Sequence, residues 1–205
     1  MHFLDPRHLI ESFGAFAYIG LFAVVFAESG LFFGFFLPGD SLLLTAGLFA
    51  YKGFLDIKIL LPLLFVATVL GDQVGYWFGR KVGPPLFKRN ESLLFRPRNL
   101  AAARSFYEKH GGKTIILAKF MPFIRTFAPI VAGAVAMPWR RFTMFSLTGG
   151  LVWAIGLTLA GYLLGRAFPP EVLDRYFIVI VGLVIVVSVA PSVVHVWKEH
   201  RARSA

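Results

Sequence analysis

Two interrupted apolar stretches carry charges of opposite sign. FAESGLFFGFFLPGDSLLLTAG (26–47) contains Glu28 and Asp40 and no base, and LAKFMPFIRTFAPIVAG (117–133) contains Lys119 and Arg125 and no acid. A charge held in an apolar core costs at least a few kcal/mol, so such a set must be compensated. Two chemistries fit. The acids and bases could form a fixed clasp. Alternatively, they could form a site for an anion and a proton. Arg125 has the planar fork that holds a phosphate through two hydrogen bonds, and Lys119 adds a point charge. Glu28 and Asp40 could carry protons. The breaks favour the second chemistry, because a clasp needs no unwound backbone. Amide groups freed at half-helix ends also favour an anion.

Two further charges lie in GDQVGYWFGR (71–80). Asp72 reads either as a hydrogen-bond partner for a neighbouring helix or as a third proton-coupling acid. Arg80 reads either as a side chain snorkelling to the headgroups or as a further contact for a lipid phosphate. Gly71, Gly75, Gly79 and Gly83 recur every four residues, a ridge for close helix packing. Trp139, Trp153 and Trp197 read as interface anchors or packing residues, and His195 as structural.

The elements that would position these groups are helices. Apolar stretches fall at about 13–50, 59–79, 114–139, 142–165 and 176–197. A spanning helix needs ~20 residues. The first stretch is too long for one helix and is interrupted at Gly34, Pro38 and Gly39. The third is interrupted at Pro122, Pro129 and Gly133. Each reads as a pair of half-helices that enters the bilayer and turns back. Residues 99–110 read as a helix on the membrane surface.

Charge and duplication support this layout. Residues 80–113 hold nine Lys/Arg and two acids, which places that loop in the cytoplasm. If 114–139 re-enters, Arg140 and Arg141 stay on the same side, as does the basic C-terminus. At an offset of 86, Ala46-Gly47 matches Ala132-Gly133, and GYWFGR (75–80) matches GYLLGR (161–166). The expected fold is an all-α polytopic membrane protein built as an inverted repeat in a single membrane domain. Each half is a re-entrant helical hairpin plus a spanning helix. Repeat 1 covers about 13–80 and repeat 2 about 114–166. The basic loop and surface helix occupy 81–113, and a further spanning helix covers 174–198.

Composition agrees. Hydrophobic residues make up 57% of the 205, charged residues 16%, and mean hydropathy is +0.71. Soluble domains carry about 25% charge. With no cysteine, disulfides and thiolate metal sites are excluded. The net charge of +10 lies between and after apolar segments, so it reads as orientation and anionic lipid rather than nucleic acid. Residues 1–12 mix acids and bases and do not read as a signal peptide. Asn90-Glu91-Ser92 is a glycosylation triplet discounted by its cytoplasmic placement. No metal or cofactor is expected, and no enzyme. Arg89, Arg96-Pro97, Arg104 and His110 imitate pieces of a lipid-phosphatase signature, but that chemistry needs a second histidine. There is no HExxH, nucleophile elbow or P-loop.

In order, FAESG…LPGD…AG, then GDxxGYxxGR, then FxPxxRxxxPxxAG resemble the DedA family, also called SNARE-associated Golgi or VTT-domain proteins. The resemblance runs from about 16 to 166. It implies two facing re-entrant hairpins and transport of phospholipids, or of the polyprenyl phosphate carrier of bacterial envelope synthesis, with a link to proton-motive force. The family's paired membrane acids fall at Glu28 and Asp40, and its second functional arginine at Arg125. Its first falls at Lys119, where the charge is kept and the bidentate fork is lost.

The expectation is therefore a proton-linked flippase or scramblase of the bacterial plasma membrane. Its partners would be protons and lipids with anionic or phosphate-bearing headgroups, and homo-oligomerisation is left open. A proton-coupled exporter of small cations or drugs, and a non-transporting envelope scaffold, are the alternatives.

Overall fold

The structure is a computed structural model that describes residues 6–31, 39–86, 112–167 and 179. Gly34, Pro38, residues 87–111 of the basic loop and nearly all of the expected C-terminal helix lie outside the described residues. Every regular element among the described residues is helical.

The helices are α1 (Pro6–Gly30), α2 (Gly39–Tyr51), α3 (Ile57–Leu86), α4 (Lys113–Ala118), α5 (Pro122–Ala134), α6 (Trp139–Gly150) and α7 (Gly156–Ala167). A π-helical turn, Leu151–Ile155, joins α6 to α7. Among the described residues, two stretches are long and apolar enough to cross a bilayer: Ile57–Val82, and Trp139–Ala167, which runs through the π-turn. The helix expected over 59–79 thus continues into the basic loop and is still helical at Leu86, where the described residues stop.

The chain divides into two compact units. The first takes Met1–Ala23, Phe36–Leu64 and Ala154–Ala205, and the second takes Val24–Phe35 and Phe65–Trp153. In the first unit, α2 packs along α7. Gly47 lies against the Thr158 carbonyl and the Tyr162 amide, and Gly161 against the Leu44 carbonyl. The Tyr51 and Tyr162 rings meet edge-on at 5.7 Å. Asp56 starts α3, its Oδ1 accepting the Lys58 amide at 2.8 Å, while its own amide donates to Tyr18 Oη at 2.6 Å. This closes one of the open donors of the first turn.

In the second unit, the end of α1 crosses α3 where Gly30 meets the Gly71 backbone. Helix α5 follows α3: Gly75 faces the Pro129 Cβ, Gly79 the Ile130 carbonyl, and Gly133 the Tyr76 carbonyl and the Arg80 amide. The ridge expected from the four-residue spacing is thus occupied at Gly71, Gly75 and Gly79. Only a residue without a Cβ lets two backbones approach this closely. Helix α6 runs antiparallel to α3, with Gln73 beside Trp139, Asp72 beside Ser146 and Thr68 beside Gly150. The core of this unit gathers Tyr76, Ile115, Ala118, Ala128, Ala132, Val135, Met137 and Phe142.

The break between α4 and α5 lies at Lys119–Met121. Phe120 and Met121 close short turns onto Leu117 and Ala118. Met121 is extended, with φ −114° and ψ 105°, as the residue before a proline tends to be. Pro122 then opens α5, where its missing donor costs nothing.

The other two expected breaks are corrected. Pro129 lies inside α5, where it removes one rung of the helix without ending it. Gly75 leaves room for its ring. Gly133 sits in the last turn, and its close approach to α3, rather than a kink, accounts for a glycine there. The helix ends one residue later, at Ala134. Ala136 takes φ 57°, its amide donates to the Gly133 carbonyl, and the Met137 amide donates to the Ala132 carbonyl. That is a Schellman ending with alanine at the left-handed position.

Candidate functional site

The α1–α3 crossing explains why two acids meet. FAESG puts Glu28 two residues before Gly30, and GDxxG puts Asp72 one residue after Gly71, so the glycine contact carries both carboxylates inward. Both are fully buried. The break between α4 and α5 supplies the bases: Lys119 ends α4, and Arg125 lies in the first turn of α5. Each is only 2% exposed.

The charges pair across these elements. Lys119 Nζ donates to Asp72 Oδ1 at 2.7 Å, and Arg125 Nη2 donates to Glu28 Oε1. Both are ion pairs buried from solvent. The Ser146 hydroxyl donates to the second Asp72 oxygen, Oδ2, at 2.6 Å. Thr126 donates to the Glu28 carbonyl at 3.1 Å. The Trp153 ring lies beside both cations, its centroid 4.7 Å from the Arg125 guanidinium carbon and 5.7 Å from Lys119 Nζ. Gly149 admits the Lys119 stem, because a Cβ there would lie 3.2 Å from Lys119 Cγ.

The structure thus brings Glu28, Asp72, Lys119 and Arg125 together in the second unit. Asp72, read as either a helix partner or a coupling acid, is the counter-ion of Lys119. Asp40 belongs to the first unit, half-buried in the first turn of α2. Arg80 stands exposed, with Nη1 donating to Tyr76 Oη at 3.2 Å. Tyr76 in turn donates to the Met137 carbonyl at 2.5 Å, pinning the end of α5 to α3.

Sequence reasoning missed two members of this cluster. Ser146 carries no charge and sits in an unremarkable FSLTGG segment. Trp153 was noticed only as an anchor or packing residue. The available signal was spacing: Ser146, Gly149 and Trp153 share one helical face.

Residues 37–163 match the VTT domain family. The chain belongs to this family. Among curated relatives of the VTT-domain chain, Protein DedA of Escherichia coli strain K12 is 43% identical over 196 residues, covering 95% of this chain and 88% of its own length. An uncharacterized membrane protein of Mycobacterium leprae, ML0287, is 43% identical over 204 residues, covering 98% of this chain and 90% of its own. Inner membrane protein YqjA of Escherichia coli strain K12 is 33% identical over 187 residues, covering 89% and 84%. No solved structure matches. This VTT-domain chain is a membrane protein of the DedA family, as its motifs led one to expect.

Proposed function

We propose that this protein moves a phosphate-bearing lipid, such as a phospholipid or polyprenyl phosphate, across the cytoplasmic membrane, with protons exchanged at its acids. One observation carries the reading. Two complete ion pairs lie buried where membrane-length helices meet a broken hairpin. Buried pairs are weak contributors to stability and are often replaceable by apolar packing. A set of two, with Lys119 at the break between α4 and α5 and Arg125 in the first turn beyond it, is better explained by use. A lipid phosphate would take the place of a carboxylate at Arg125 or Lys119, while the carboxylate that leaves takes a proton. The acyl tails would remain in lipid as the headgroup crosses. No covalent chemistry is needed, and the protein acts as a transporter rather than an enzyme.

The topology of the hairpin supports this reading. Helix α4 starts with Gly112 beside Phe145 and ends with Lys119 beside Gly149. Helix α5 then returns along α3, from Pro129 beside Gly75 to Gly133 beside Arg80. Both arms therefore open toward the end of α3 that carries Arg80, the geometry of a re-entrant segment. The inverted repeat gains support from packing. Gly47 on α2 meets residues 158 and 162, and Gly133 on α5 meets 76 and 80. At the offset of 86, these are the same contacts shifted by one helical turn. The hairpin helix of each half thus packs on the spanning helix of the other.

The test is reconstitution in vesicles with labelled phosphatidylglycerol or polyprenyl phosphate. Arg125→Ala should abolish movement of the label. Unchanged movement would return the four charges to the role of a clasp. Proton flux driven by small cations, without lipid movement, would select an exporter.

A further inference from the structure

The two ion pairs share an aromatic neighbour that neither charge pattern nor family membership explains. Trp153 is 1% exposed and among the largest fully buried side chains. It lies on the π-turn Leu151–Ile155, directly after Gly149-Gly150. A π-turn inserts one residue into a helix and re-aims the side chains that follow, and such turns recur at functional sites. Here the re-aimed residue reaches both cations, at 4.7 Å from Arg125 and 5.7 Å from Lys119. Each base therefore touches an acid and the same ring.

We propose that Trp153 is a positioning residue for the headgroup: it holds Arg125 and Lys119 in place while their carboxylates give way to a lipid phosphate. The proposal rests on the transport reading above. An acid can leave its base by taking a proton, whereas an indole face does not titrate. The ring attracts a cation through the negative potential of its face. That same face repels a phosphate. An anion must therefore approach each base from the side away from Trp153. The ring thus fixes both the position of the charges and the direction from which the substrate meets them.

The decisive experiment replaces Trp153 with mono-, di-, tri- and tetrafluorotryptophan by site-specific incorporation. Fluorine drains the potential of the face and changes size little. The purified full chain is placed in phosphatidylcholine vesicles containing labelled phosphatidylglycerol or, in a second arm, labelled polyprenyl phosphate. Transport rate and thermal midpoint are read together. A stepwise fall in rate is expected, reaching about tenfold with four fluorines, at an unchanged midpoint. Trp153→Phe should lie within the series. A flat rate across the fluorinated series overturns the proposal and leaves lipid transport standing. Failure of the unaltered protein to move either lipid overturns transport itself, and the proposal with it.

Discussion

Asp72 is held from two sides, with Lys119 on Oδ1 at 2.7 Å and Ser146 on Oδ2 at 2.6 Å. Removing the acid alone should therefore leave an uncompensated buried ammonium. Asp72→Asn is expected to destabilise the protein by about 3–5 kcal/mol. Asp72→Asn with Lys119→Met should recover most of that loss, because no lone charge remains. Thermal unfolding in detergent of the two single variants and the double measures the coupling. A double variant no more stable than Asp72→Asn would mean that the pair is not what holds these helices.

The same geometry explains a lysine at a position where the family resemblance implies arginine. A guanidinium prefers to grip both oxygens of a carboxylate. Here Ser146 already occupies Oδ2, and Gly149 packs on a slender methylene stem. Lys119→Arg should lower transport, and adding Ser146→Ala should restore part of it by freeing the second oxygen. Initial rates in vesicles check this. Equal rates for Lys119→Arg with and without Ser146→Ala would refute the competition.

Much of this arrangement was legible from the chain. The interruption before Pro122 follows from proline chemistry, and the Gly71, Gly75 and Gly79 ridge from four-residue spacing. Glu28, Lys119 and Arg125 were singled out as one set from their apolar surroundings, but the fourth charge expected with them, Asp40, belongs to the first unit, and it is Asp72, read apart from that set, that pairs with Lys119. Which acid meets which base was not legible. That depends on where α1 crosses α3, set by contact between Gly30 and Gly71, two residues 41 positions apart. Pro129 misled, because a missing hydrogen bond reads as a break unless the neighbouring helix offers a groove. The part of Trp153 was hidden because nothing in the sequence of this apolar helix marks the π-turn at Leu151–Ile155.

The close helix crossings predict a sharp contrast among glycines. A Cβ at Gly79 would run into the Ile130 backbone, and one at Gly133 into that of Tyr76, while at Gly20 nothing lies within 4 Å. Gly79→Ala and Gly133→Ala should each destabilise by about 2 kcal/mol or more through overpacking. Gly20→Ala should be neutral or stabilise by up to about 1 kcal/mol through helix propensity. Thermal midpoints of the three variants test the contrast. Equal midpoints would deny that α5 lies so close to α3.

Orientation can be read directly, because the chain contains no cysteine and each introduced thiol is unique. Trp139 Nε1 donates to Gln73 Oε1 at 2.8 Å, and Tyr76 reaches the Met137 carbonyl, so α6 begins beside the C-terminal half of α3. That half leads into the basic loop. If α4 and α5 dip in and return, a thiol at the start of α6 must share a side with that loop. Asn90→Cys and Arg141→Cys should both react with a membrane-impermeant maleimide in inside-out vesicles and be protected in intact cells. Lys52→Cys, five residues before the spanning stretch that starts at Ile57, should show the reverse pattern. If Arg141→Cys instead reacted together with Lys52→Cys, residues 113–138 would cross the membrane fully, and the re-entrant reading would fall while the buried ion pairs remained.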